Sequence, residues 1–235
     1  MEIIKKIWKF RWILRALIPS LIFNFRHLPF SQAKKLPILI YKAEVHAKGG
    51  HFVIEGPLRF GMIILGQRIV DLFPNPGNTL SNIGKITFKG KTIIGNGSAI
   101  SVGPSGSLSF GNDVIGSAGL KIACYSSISI GDQVRIGWNT QILDTDFHLL
   151  KNIEGRKSRS KGYAPVRIEN GVWIANSCKL YKGVTIPHSC VVSSDTVIHA
   201  SLKCDPYSIV SNDSKTVIRA VGYYRDLTDD MISYE

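Results

Sequence analysis

The stretch that decides the fold is Val166-Arg167-Ile168-Glu169-Asn170-Gly171-Val172-Trp173-Ile174-Ala175-Asn176-Ser177-Cys178-Lys179-Leu180-Tyr181-Lys182-Gly183-Val184-Thr185-Ile186. Every sixth residue from Ile168 to Ile198 is aliphatic (Ile168, Ile174, Leu180, Ile186, Val192, Ile198). Two places before each stands a small, β-branched or thiol-bearing residue: Val166, Val172, Cys178, Val184, Cys190 and Thr196. Side chains alternate faces along a strand, so residues two apart share one face, whereas a helix would need spacings of three and four. The residues between the pairs, such as Glu169-Asn170-Gly171 and Pro187-His188-Ser189, are turn formers. Each hexapeptide therefore reads as a short strand and a corner. One such unit cannot bury its single apolar stripe, but coils stacked at the strand spacing of roughly 4.8 Å share one continuous core. The spacing predicts an all-β chain wound as a parallel β-helix of hexapeptide repeats.

The same rhythm runs upstream through Ile122/Cys124, Ile128/Ile130, Val134/Ile136 and Thr140/Ile142, and earlier through Ile94 and Ile100. Between Val102 and Leu120 the large residues keep the interval but sit two places out of step, which fits either a small insertion or a swap of the paired roles. The 235 residues, 44% of them hydrophobic, suffice for one main domain, and the repeats occupy most of it. The expected division is an N-terminal segment and connector over 1–44, a β-helix over 45–210 with a loop at 143–165, and a tail over 211–235. Asp71 to Asn82, rich in Pro, Gly and Asn, reads as a further loop.

A net charge of +12 calls for an anionic partner without naming it. The basic residues are not interleaved with aromatics in any nucleic-acid module, so no nucleic acid is expected. Cys124, Cys178, Cys190 and Cys204 form no C-x-x-C pair and read as small core residues in a reducing compartment. Met1 to Arg26 mixes Ile3, Ile4, Ile7, Trp8, Phe10, Trp12, Ile13 and Leu14 with Lys5, Lys6, Lys9, Arg11 and Arg15. No cleavable signal follows. Its longest uncharged run, Ala16 to Phe25, is about half the roughly 20 residues that span a bilayer, and Pro19 interrupts it. Two readings fit this amphipathic helical segment: it lies on an anionic membrane surface, or it caps the open end of the coil stack or packs on a neighbouring subunit. A cytoplasmic protein is expected, peripheral at the inner face of the cell membrane under the first reading.

After Ile142 the rhythm stops, and it resumes at Val166, so the intervening residues must leave the wall as a loop, where function commonly lives. The loop opens with Asp144-Thr145-Asp146-Phe147-His148 and continues through Lys151, Arg156, Lys157, Arg159 and Lys161. Of the six histidines, only His148 has two carboxylates within four residues, Asp146 two away and Asp144 four away. A general-base imidazole presents one nitrogen to the acceptor while another group fixes the proton on the other. Metal binding by the two aspartates and the histidine is the rival chemistry. It is disfavoured because His188 and His199 are eleven apart and no second histidine stands near His148, so no metal is expected.

The chain resembles the left-handed parallel β-helix acyltransferases of the hexapeptide-repeat class, in particular the O-acetyltransferases of capsule and O-antigen polysaccharides. The resemblance covers nearly the whole chain. It rests on Ile130-Gly131-Asp132-Gln133-Val134-Arg135-Ile136-Gly137-Trp138-Asn139, on the segment ending at His148, on Gly171-Val172-Trp173-Ile174, on Lys182-Gly183-Val184-Thr185-Ile186 and on Pro206-Tyr207-Ser208-Ile209-Val210. The N-terminal run Asn24-Phe25-Arg26-His27-Leu28-Pro29-Phe30 is also similar to that subgroup. The resemblance implies a left-handed coil, a homotrimer with sites between subunits, and acetyl-CoA as acyl donor to a glycan or sugar-precursor acceptor. It further implies His148 as general base, with Asp146 or Asp144 orienting its ring. Trp173 would line the thioester channel, Asn176 and Ser194 would contact pantetheine, and Arg219 would lie near the nucleotide phosphates.

Two departures stand out. Relatives carry Gly-Asn-Pro-Ala in the tail where this chain has Ser211-Asn212-Asp213-Ser214, and Gly119 stands where some sugar acetyltransferases place an asparagine. The alternatives to O-acetyl transfer are N-acylation of an amino sugar nucleotide and a non-catalytic β-helix scaffold.

Overall fold

The computed structural model describes residues 2–74, 77–154, 160–212 and 223–225, with side chains described over 12–74, 77–154 and 160–212. Three parallel sheets form the faces of a prism. The first face stacks Ile38–Ile40, Ile63–Gln67, Thr92–Gly95, Val114–Gly116, Arg135–Ile136, Trp173–Ile174, Val191–Val192 and Ile209–Val210. The second stacks Ala43–His46, Asn78–Asn82, Ala99–Val102, Lys121–Cys124, Gln141–Leu143, Lys179–Leu180 and Val197–Ile198. The third stacks His51–Ile54, Lys85–Phe88, Ser107–Phe110, Ser127–Ile130, Val166–Ile168 and Thr185–Ile186. The chain visits the faces in that order, coil after coil. The all-β, parallel β-helix architecture expected from the repeat is the one found, and its first strand, Ile38–Ile40, lies upstream of the expected start at 45.

The inward positions are the ones the period picks out. Ile168, Ile174, Leu180, Ile186 and Val192 are at most 1% exposed, as are their partners Val166, Val172, Cys178, Val184 and Cys190. Upstream, Phe88 and Phe110 stack at 5.4 Å in the same column. Corners turn through left-handed backbone at Asp113, Gln133, Asn139, Ser177, Ser189 and Asp195, a conformation that short polar residues tolerate best. At Gly137 a Cβ would lie 2.5 Å from the Ala175 backbone, so successive coils approach closely only because that side chain is missing.

Register settles the phase change left open by the sequence. In the regular coils Arg167 pairs with Thr185 and Trp173 with Val191, so one hexapeptide on each face completes a turn. Upstream, Thr92 pairs with Val114 and Ala99 with Lys121, and each of those turns holds more chain than a regular one. Val102 and Leu108 both point inward, and so do Gly116 and Ile122. The shift is therefore insertion at corners, with the inward roles kept.

The long helix α1 (Glu2–His27) closes the open end of the stack. Its buried Ser20 and Asn24 reach the free edge of the first strand. The Ile40 N–H donates to Ser20 Oγ at 2.9 Å, the Ile38 N–H donates to Asn24 Oδ1 at 3.2 Å, and Asn24 Nδ2 donates to the Ile38 carbonyl at 2.7 Å. Phe23 packs edge-on against Phe52 at 5.0 Å. Side chains thus satisfy an edge that would otherwise invite pairing with another strand, and capping, one of the two readings of this segment, is realised. No helix among the described residues is long and apolar enough to cross a membrane.

Candidate active site

Beyond Leu143 the chain leaves the edge between the second and third faces and returns to the wall at Val166. Ile128 on one coil pairs with Val166 on the next, so a single turn of the prism contains the whole excursion. The base of the excursion is closed by main-chain bonds. The Asp144 N–H donates to the Ala123 carbonyl at 3.2 Å, the Ala164 N–H to the Asp144 carbonyl at 3.0 Å, and the Asp146 N–H to the Gly162 carbonyl at 2.8 Å. Thr145 and Tyr163 form an antiparallel bridge between these bonds.

Within this collar the two aspartates do different work. Asp144 continues the inward alternation from Ile142 and is fully buried, and its carboxylate accepts the N–H groups of Tyr125 and Ser126, each at 2.8 Å. Burial raises its pKa, and the two backbone bonds oppose that rise without cancelling it. Asp146 is exposed, and its carboxylate is ion-paired to the ammonium of Lys182 in the following coil. A carboxylate that gives both oxygens to the previous coil is a clamp on the loop. Lys182 is the described partner of the Asp146 carboxylate.

Phe147 sits at a φ of 61°, and its N–H donates to Thr145 Oγ1 at 3.0 Å. Left-handed backbone at a bulky residue is uncommon and costs about 1 kcal/mol or more. Its ring packs edge-on against Tyr125 at 5.2 Å, which holds the kink in place. The kink delivers His148, half-buried and with its Nδ1 atom out of contact with solvent. Farther on, Leu150–Asn152 pairs antiparallel with Tyr223–Arg225 of the tail. Reading the sequence missed this pairing, together with Tyr125 and Lys182. The adjacent tyrosines Tyr223 and Tyr224, good strand formers, were the available signal.

The candidate donor-binding residues lie elsewhere on the prism. Trp173 is on the first face, 55% exposed, between Arg135 and Val191 of the flanking coils. Ser194 Oγ donates to Asn176 Oδ1 at 2.8 Å in the corner column between the first and second faces. Asn176 and Ser194 adjoin one another, but the edge that bears His148 is opposite the first face, which holds Trp173, so one chain does not bring these residues to the histidine. Arg219 lies outside the described residues, as do Arg156, Lys157 and Arg159 of the loop. Gly119 has a φ of +70° and faces Phe73 and Asn139.

A surface groove of about 730 Å³ runs along the third face past Ser129, Arg167, Asp132 and His188, and none of its described lining residues belongs to the loop. Cys124, Cys178 and Cys190 are buried, and burial raises the pKa of each thiol. Such thiols pack and do not attack. Among the described residues no group of three His, Cys, Asp or Glu side chains is placed to hold a metal ion.

Solved structures similar to the chain include the following three. The first is the polysialic acid-specific acetyltransferase NeuO, with 13% identity over 75% of this chain and 92% of that one and a TM-score of 0.42. The second is the polysialic acid O-acetyltransferase OatWY, with 19% identity over 77% and 86% and a TM-score of 0.39. The third is a hexapeptide-repeat-containing acetyltransferase from Vibrio cholerae O1 biovar eltor, solved with acetyl coenzyme A, with 16% identity over 86% and 84% and a TM-score of 0.37. No protein-family model and no curated sequence matches the chain.

Proposed function

We propose that the protein is an acetyl-CoA-dependent O-acetyltransferase acting on a hydroxyl of a polysaccharide or its sugar precursor, with His148 as general base. The observation that carries this reading is the placement of His148. It is a half-buried imidazole, delivered by a kinked Phe147 to a collar that interrupts an otherwise continuous wall. The acceptor hydroxyl gives its proton to the imidazole as its oxygen attacks the thioester carbonyl. The carbon–sulfur bond then breaks, and the imidazolium returns the proton to the departing CoA thiolate, leaving an acetyl ester and free CoA. No acyl-enzyme is needed, in keeping with the inert, buried cysteines.

The separation of His148 from Trp173, Asn176 and Ser194 supports a site shared between copies of the chain. The edge of one prism bearing the base would meet the first face of another bearing the donor contacts, and the homotrimer expected from the resemblance supplies that arrangement. With its carboxylate tied to Lys182, Asp146 serves as a positioning residue for the loop.

Purified protein incubated with acetyl-labelled acetyl-CoA and a polysaccharide acceptor should place label in an alkali-labile ester. In His148→Ala, turnover should fall roughly 10²–10⁴-fold, while the rise in melting temperature on adding CoA persists. Label found solely on the nitrogen of an amino sugar nucleotide would make the protein an N-acyltransferase. Absence of any thermal shift with CoA would make it a scaffold.

A further inference from the structure

We propose that the concavity between α1 and the first coils binds an anionic phospholipid and seats the helix on a membrane surface. Such binding uses none of the residues assigned to acyl transfer. The concavity, about 570 Å³, has apolar walls that include Ile22, Phe23, Ile40 and Val45, with Arg26 and Lys48 at its rim. No aspartate or glutamate among the described residues lines it. His46 at the same rim is bonded to Glu44 at 2.9 Å, so the positive charge offered there belongs to Arg26 and Lys48. His27 packs between Phe23 and Phe52 at 4.7 and 5.3 Å, and burial lowers its pKa, which makes it part of the apolar wall.

The neighbouring surface continues the same chemistry. While Ala16, Ser20, Phe23 and Asn24 of α1 are buried against the prism, Leu14, Ile18, Ile22 and Phe25 are 68%, 70%, 62% and 48% exposed, with Ile22 standing where this stripe meets the concavity. Their spacing of four, four and three is one helical stripe. It runs on to Phe30, 72% exposed and 5.9 Å from the Phe25 ring. Capping the coil stack requires only the buried side, so the stripe is surplus to the fold. Exposed apolar residues bordered by Arg15, Arg26, Lys34 and Lys35 match an interface whose headgroups are anionic and whose interior is hydrocarbon. A second copy of this chain would bring the same positive charge to the same rim, whereas a phosphate headgroup is complementary to it and its acyl chain to the apolar walls.

The test is co-sedimentation of the full chain with phosphatidylcholine vesicles, with and without phosphatidylglycerol. Wild type should pellet with the anionic vesicles alone, and salt should release it. Arg26→Glu/Lys48→Glu and Ile18→Ser/Ile22→Ser should each weaken partitioning by about tenfold or more, with melting temperature and light-scattering mass unchanged. Soluble short-chain phosphatidylglycerol should compete, and inorganic phosphate at the same ionic strength should not. Equal binding by wild type and variants would overturn the proposal. So would competition by phosphate alone, which would mean a site for free anions, or a fall in oligomeric mass for Ile18→Ser/Ile22→Ser, which would mean a contact between copies. The exposed single variant Lys48→Glu leaves the core untouched and gives the same readout if a double variant fails to fold.

Discussion

The regular coils from Val166 to Ile198 and the excursion between Leu143 and Val166 are built on the same wall by different means. A regular coil carries the chain from Arg167 to its neighbour Thr185, whereas the far longer coil that bears the excursion runs from Ile128 to its neighbour Val166. The strands on either side still pair in register. In the regular coils stability comes from inward aliphatic residues, each at most 5% exposed. In the excursion it comes from point fastenings: the Asp144 carboxylate on two N–H groups, the Asp146–Lys182 pair, the edge-on Phe147–Tyr125 ring contact and the antiparallel pairing with the tail. A stack whose coils each contact only their neighbours can eject a segment at one corner without disturbing the next, and a side chain on that segment inherits the rigidity of its attachments.

Breaking the wall should cost most. Leu180→Ala, in a fully buried inward position, should lower unfolding free energy by about 2–5 kcal/mol in denaturant titrations. A loss below about 1 kcal/mol would mean the stripe is not what holds the regular coils. At the capped end, Asn24→Ala removes the partner of both Ile38 backbone groups and should cost about 1–3 kcal/mol. A neutral result would show that water or another side chain reaches that edge.

The smallest effect sharpens the account of the excursion. Because Asp144 has a folded-state pKa above its unfolded value, its contribution to stability is present at low pH and is lost as pH rises through the folded value. The stability of wild type relative to Asp144→Asn should therefore decline as pH is raised across and above the usual carboxylate range. The opposite slope would mean the two N–H bonds outweigh burial.

Local periodicity made the wall legible because strand alternation and corner chemistry repeat within a few residues. Even the inward turn of Asp144 was available there: the alternation that buries Ile142 also buries the residue two places on. The pleat turns that carboxylate inward, where it holds two N–H groups of the previous coil. The insertions between Val102 and Ile122 became clear only from register, since a short corner and a slightly longer one leave similar composition. The pairing of Leu150–Asn152 with Tyr223–Arg225 joins distant segments and has no local signature.

That same pairing has a consequence for the order of assembly on the ribosome. Each coil of the prism can dock as soon as it emerges, since its template is already in place, but the strand at Leu150–Asn152 must wait for a partner made after the regular coils are complete. The nascent chain would therefore carry a finished scaffold before it carries a finished histidine collar, and the loop that bears His148 would be the last part of the molecule to acquire its shape.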